Sequence, residues 1–122
     1  MTKENVMSEH DTATAGETRV ETLKEMLAFQ THAIVSRMLV KNAAGNVTLF
    51  AFDEGEGLSE HTAPFDALLI GVEGEADVRV GAGTHLLGEG QSLLIPASVP
   101  HAVAPRARFK MLLVMLKGER KA

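Results

Sequence analysis

Two stretches of the chain concentrate residues able to do chemistry. The first runs Gly55-Glu56-Gly57-Leu58-Ser59-Glu60-His61-Thr62-Ala63-Pro64-Phe65-Asp66-Ala67 and continues to Glu73-Gly74. The second runs Gly90-Gln91-Ser92-Leu93-Leu94-Ile95-Pro96-Ala97-Ser98-Val99-Pro100-His101. Each offers one imidazole that can ligate a transition metal, anchor a polar group of a ligand, or sit hydrogen-bonded in a core. The chain has no cysteine, which excludes thiolate zinc sites, iron–sulfur clusters and thiol nucleophiles. It carries no Gly-rich phosphate loop with a following Lys-Ser/Thr, and no His-Glu-x-x-His. Gly81-Ala82-Gly83 follows an expected strand with no helix after it, so it reads as a hairpin tip and not as half of a dinucleotide fingerprint.

Composition bounds the scaffold that must position these imidazoles. A chain of 122 residues, 45% hydrophobic and 23% charged, makes one domain that needs no disulfide or metal staple. A net charge of -4 gives no basic footprint, so nucleic acid is not an expected partner. Five Phe with no Trp and no Tyr offer no platform for stacking bases or sugars, and any cavity must be lined by aliphatics, Met and Phe. Residues 1–18 are polar and Thr/Glu-rich, without an apolar run for a signal peptide or a membrane span. They read as a disordered tail, residues 19–118 as the folded domain and 119–122 as a C-terminal tail; the expected location is cytoplasmic, with no membrane partner.

A short amphipathic helix is expected over 21–29, where Leu23, Met26 and Leu27 share one face. Beyond it, short segments rich in Val, Leu, Ile and Phe alternate with Gly, Asn, Asp and Pro. The expected strands are 33–40, 46–52, 66–72, 76–80, 84–87, 92–95 and 109–116. Seven or more strands at this spacing argue for an all-β sandwich or barrel. In 76–80 the apolar residues alternate with Asp77 and Arg79, so one face meets solvent. The last segment is apolar on both faces: Phe109, Met111, Leu113 and Met115 on one, Leu112, Val114 and Leu116 on the other. Such a strand lies between two packed layers or under a partner subunit, and its pattern does not say which face points inward.

Together the two stretches resemble the paired signature motifs of the cupin superfamily, in its small single-domain, RmlC-like form. The first family motif runs Gly, five residues, His-x-His, three or four residues, Glu, six residues, Gly; Gly55, His61 and Gly74 fall on that frame without a gap. The second runs Gly, five residues, Pro-x-Gly, two residues, His, three residues, Asn; Gly90, Pro96 and His101 fit it. The resemblance spans residues 33–116. It implies a cupin (double-stranded β-helix) jelly-roll barrel with an internal cavity, generally paired as a homodimer, and a metal held by the two histidines and glutamate of the first motif with the histidine of the second.

This chain departs from that ligand set. The second histidine position is Ala63 and the glutamate position is Ala67, while the glycine and asparagine of the second motif are Ser98 and Pro105. Asp66 is no substitute, because neighbouring residues on a strand face opposite ways. Two imidazoles without a carboxylate would hold zinc, nickel, copper, iron or manganese only weakly. The expected function is binding of a small, largely apolar molecule in the barrel, with His61 and His101 as polar anchors and Ala63, Ala67, Phe65, Ile95, Met111 and Met115 as wall. The alternatives are a metal-dependent oxygenase or isomerase working through a two-His ion, and a structural dimer whose barrel is filled by its own side chains. His10, His32 and His85 are expected bystanders. A homodimer is expected from the doubly apolar last strand and the short apolar first one.

Overall fold

The computed structural model describes residues 17–118. Most of the expected N-terminal tail, with His10, and the 119–122 tail lie outside the described residues. Nine strands follow one another: β1 (Ile34–Asn42), β2 (Gly45–Phe52), β3 (Leu58–His61), β4 (Asp66–Glu73), β5 (Ala76–Val80), β6 (Gly83–Leu87), β7 (Ser92–Ile95), β8 (His101–Pro105) and β9 (Phe109–Leu116). They form two antiparallel sheets, one in the order β1-β2-β9-β4-β7 and the other β3-β8-β5-β6. All seven expected strands are present and two more, β3 and β8, join them. The all-β jelly-roll expectation holds.

The expected helix shrinks to a single 3-10 turn at Leu23–Glu25. The carbonyls that a continuing helix would need are used otherwise: Lys24 O accepts from Lys110 Nζ and Met26 O from Arg37 Nη1. Released from helical spacing, Leu27 becomes fully buried, and Leu23, Met26 and Phe29 pack beside it. Phe29 lies under two cations, with Arg108 Cζ at 5.0 Å and Lys110 Nζ at 4.7 Å from its ring centroid. Tertiary contact has overridden local propensity here. Among the described residues no helix is long and apolar enough to cross a membrane.

The five-stranded sheet has a core on each side. Between the two sheets lie Ile34, Phe52, Ala67, Leu69, Ile95, Phe109 and Met111 from one, and Ala76, Val78, Leu87 and Val103 from the other. On the outer side the N-terminal segment covers Val35, Leu49, Ala51 and Val72, with Leu112 packed against them. The orientation of β9 follows: its odd residues from Phe109 to Met115 face the second sheet, and its even residues face outward. The alternation in 76–80 is also as expected, with Ala76 and Val78 buried and Asp77 and Arg79 more exposed.

Where the chain enters β1, Asp53 organises the backbone. His32 sits in the left-handed region at φ 58, and its backbone N–H donates to Asp53 Oδ2 at 2.7 Å. The Asp53 Oδ1 atom accepts from Arg108 Nε at 2.9 Å. His32 therefore acts through its main chain. The His32 N–H, then the Arg108 guanidinium, then the backbone N–H of Glu54 hold the Asp53 carboxyl down at about 2, against the opposing effect of burial. A depressed carboxyl stabilises the fold at pH values above the unfolded-state pKa, and that contribution is lost as pH falls towards the folded value. Wild-type stability is therefore expected to drop between about pH 4 and pH 2, and Asp53→Asn to flatten that limb in urea titrations across the range. An unchanged acid limb in the variant would contradict the assignment.

Candidate functional site

A bulge sets the pair of imidazoles. Strands β3 and β8 align Leu58 with Val103 and His61 with His101, so three steps on one strand match two on the other. With plain alternation from Leu58, Glu60 would face inward. The extra residue turns His61 inward in its place, a re-aiming that bulges commonly perform. Glu60 instead pairs outside with Arg79. The two imidazole rings meet edge to face, their centroids 4.2 Å apart at 62°. Both rings are fixed in the same way: His61 Nδ1 lies 2.8 Å from Ser59 O, and His101 Nδ1 lies 2.9 Å from Val99 O. A carbonyl only accepts, so each Nδ1 carries a proton, and the neutral ring keeps its lone pair on Nε2.

The rings line a cavity of about 150 Å³ between the sheets. Its other walls are Leu58, Ala63, Phe65, Ala67, Leu69, Ile95, Val103, Met111, Leu113 and Met115. All eight residues named from sequence border this one hollow. Leu58, Leu69, Val103 and Leu113 are additions. Leu69 and Leu113 repeat the inward period of Ala67 and Met111, whereas Leu58 and Val103 lie on the two strands that the sequence pattern did not reveal. Burial grades along the cavity. Ala67, Leu69, Ile95, Val103 and Met111 are buried, Ala63 and Phe65 are partly open, and His61 is exposed while His101 is not. The imidazole pair thus runs from the rim inward, and among the described residues it supplies the only polar side chains of the lining.

Two loops hold the rim. Ser98 N donates to Ala63 O at 2.7 Å, tying the loop before β8 to the loop after β3. Asp66 Oδ1 accepts from Ala97 N at 2.8 Å, so its carboxylate fastens the same loop and is absent from the lining, as the strand alternation requires. Gly74 and Gly90 adopt φ 79 and 78, as their turns demand, and a Cβ on Gly74 would come within 2.3 Å of Arg108 O. Ser98 stands at φ 66 where the motif it resembles has glycine. Left-handed backbone costs a non-glycine residue about 1 kcal/mol, partly offset by glycine's greater unfolded freedom. Ser98→Gly is therefore expected to raise stability by about 0.5–1 kcal/mol in chemical denaturation. A loss of stability would show that the serine side chain holds the loop.

The donor set does not complete a four-ligand metal centre. Ala63 and Ala67 are wall residues, Asp66 is engaged elsewhere, and among the described residues no three His, Cys, Asp or Glu side chains come together to hold an ion. His85, on β6, is exposed and lies apart from the cavity lining.

Comparison with known proteins matches this architecture. The family model for the Cupin domain matches residues 48–115. None of the curated proteins matches the chain. Among solved structures, a protein of unknown function from Streptococcus pyogenes is 31% identical with a TM-score of 0.79, the match covering 85% of this chain and 91% of that one. A cupin superfamily protein from Desulfitobacterium hafniense is 29% identical with a TM-score of 0.77, covering 82% and 92%. A cupin 2 conserved barrel domain protein from Leptotrichia buccalis is 37% identical with a TM-score of 0.73, covering 77% of this chain but 46% of that larger one. The matched region runs through both sheets and both cavity walls, and on that basis the chain belongs to the cupin family.

Proposed function

We propose that this cupin is a binding protein that holds one small, largely apolar molecule in its cavity, with His61 and His101 as polar anchors. The observation that carries this is the pairing of two imidazoles, 4.2 Å apart, in a hollow whose remaining lining is wholly apolar. Ligand sites have this character: mostly hydrophobic wall with a few placed polar atoms. The volume is also apt, since an apolar cavity of about 150 Å³ takes up benzene-sized guests. A hollow of this size weighs against a barrel filled by its own side chains.

The test is a fragment screen by NMR on methyl-labelled protein. Binders are expected to shift the Met111 and Met115 methyl signals, and His61→Ala with His101→Ala to weaken those fragments that carry polar groups. The proposal fails if no fragment moves these signals, or if the histidine variants change no affinity.

One observation favours a second reading. Both imidazoles present the Nε2 lone pair while Nδ1 donates to a carbonyl, which is how metal-bound histidines are usually oriented. Near-stoichiometric zinc, nickel, copper, iron or manganese in protein purified without an affinity tag, lost on His101→Ala, would replace the binding reading with a metal-dependent one.

The outer end of the five-stranded sheet supports a homodimer. Val40, Leu94 and Leu116 are each half exposed there, at 57%, 50% and 53%, and a cross-strand row through Val47, Val114 and Leu68 joins Val40 to Leu94. Contiguous apolar surface of this kind marks an interface, and a two-fold partner would cover it isologously. Light scattering at micromolar concentration is expected to give twice the chain mass, and a monomeric mass would refute the pairing.

A further inference from the structure

We infer that the cavity selects a neutral compound that brings its own hydrogen-bond donor: a phenol-sized molecule with one hydroxyl group. This rests on the binding reading above and adds the chemical class of the ligand. The backbone fixes the polarity of both anchors. Ser59 O and Val99 O, at 2.8 and 2.9 Å, each take up an Nδ1 proton, so in their neutral form both rings have only an acceptor left. His61 and His101 are cross-strand partners, so the two acceptors belong to one site. Among the described residues no other side chain of the lining is a donor, and the thioethers of Met111 and Met115 are only weak acceptors. The remaining wall is aliphatic, Met and Phe, without hydroxyl, amide or cation. Lys117 Nζ lies 5.8 Å from the Phe65 ring centroid but does not line the cavity.

A guest with a hydroxyl group exchanges its bond to water for one to Nε2 and buries its apolar body. A guest with only acceptors, such as an ether or a carboxylate, loses water and finds no donor, which is the costlier outcome for a polar group. The same argument sets the order among isosteric rings. The hydroxyl compound ranks above the methyl compound and the methyl ether, and the anion falls below all of them in the neutral-imidazole state.

Isothermal titration with phenol, toluene, anisole and benzoate at pH 8 tests this on the full chain. Phenol is expected to bind about tenfold more tightly than toluene or anisole, the value of one net hydrogen bond. It is also expected to move the ¹⁵N resonance of an Nε2 atom of His61 or His101. Benzoate is expected to be the weakest. If phenol and anisole bind equally, or benzoate binds best, the donor requirement is wrong while the binding reading stands. If none of the four binds, the donor requirement falls, and the binding reading falls with it only if the fragment screen also finds no guest.

Discussion

Truncating Phe109 to alanine is expected to lower the unfolding free energy by about 3–5 kcal/mol. The ring is fully buried between the sheets and lies 6.0 Å from that of Phe52, which in turn stacks on Phe50 at 6.1 Å. These three rings are the bulk of the aromatic content of a chain with five Phe and neither Trp nor Tyr. Their neighbours are smaller: Ile34, Ala76, Val78 and Val103 cannot expand to fill the space a ring would leave. Part of the cost is lost transfer energy, and the rest is the void that a close-packed interior cannot close. Domains of this size are stable by roughly 5–15 kcal/mol, so the variant sits near its folding threshold. Without Trp or Tyr the transition has to be followed by far-ultraviolet circular dichroism in urea. A loss below about 1.5 kcal/mol would mean that this core repacks freely.

The second large effect concerns binding. Ala67→Leu is expected to reduce the affinity for toluene or phenol by about a hundredfold or more, close to 2.8 kcal/mol, while the protein stays folded. Ala67 is only 8% exposed, lines the cavity and pairs across the sheet with Ile95 and Met115. A branched side chain there projects into the hollow and occupies the room a guest needs. Filling the hollow shifts stability by no more than about 1–3 kcal/mol, because new contacts offset strain. The contrast with His101→Ala is informative. That change removes a polar anchor and is expected to cost a hydroxyl-bearing guest about tenfold, leaving an apolar guest largely unaffected. Titration calorimetry on the two variants separates occlusion from lost anchoring. Undiminished binding by Ala67→Leu would place the guest elsewhere, such as the outer groove bordered by Val40, Val47 and Leu116.

The periodic parts of this fold were legible in the sequence, and the parts decided by pairing were not. The seven strands rich in Val, Leu, Ile and Phe announced themselves by composition and by the glycines and prolines between them. Strand β3 reads Leu58-Ser59-Glu60-His61, which is polar, and β8 is mostly alanine, proline and one valine. Neither has the propensity of a strand: β8 exists because β5 supplies its ladder from Ala76 to Val80, and β3 because β8 in turn supplies one. The bulge between them is equally invisible in composition, yet it is what sets His61 opposite His101. The inward face of β9 could not be chosen because both of its faces are apolar. The 3-10 turn at Leu23–Glu25 replaced a helix because Lys110 and Arg37, distant in sequence, claim its carbonyls. The eight cavity residues were foreseeable because the motif spacing fixes four wall positions, and strand periodicity extends them to their neighbours.

Strand β9 also bears on how such a protein changes over generations. Its odd positions Met111 and Leu113 shape the hollow, and its even positions Val114 and Leu116 shape the outer surface. Leu112 packs beneath the N-terminal segment, and Met115, near the strand's end, borders both hollow and outer groove. Adjacent codons in one gene segment therefore answer to different pressures. A substitution at Met111 or Leu113 re-cuts what fits inside and leaves the outer contour alone, and one at Val114 or Leu116 does the reverse. Descendants of this chain can drift in ligand preference one residue at a time without renegotiating the surface they present to other molecules.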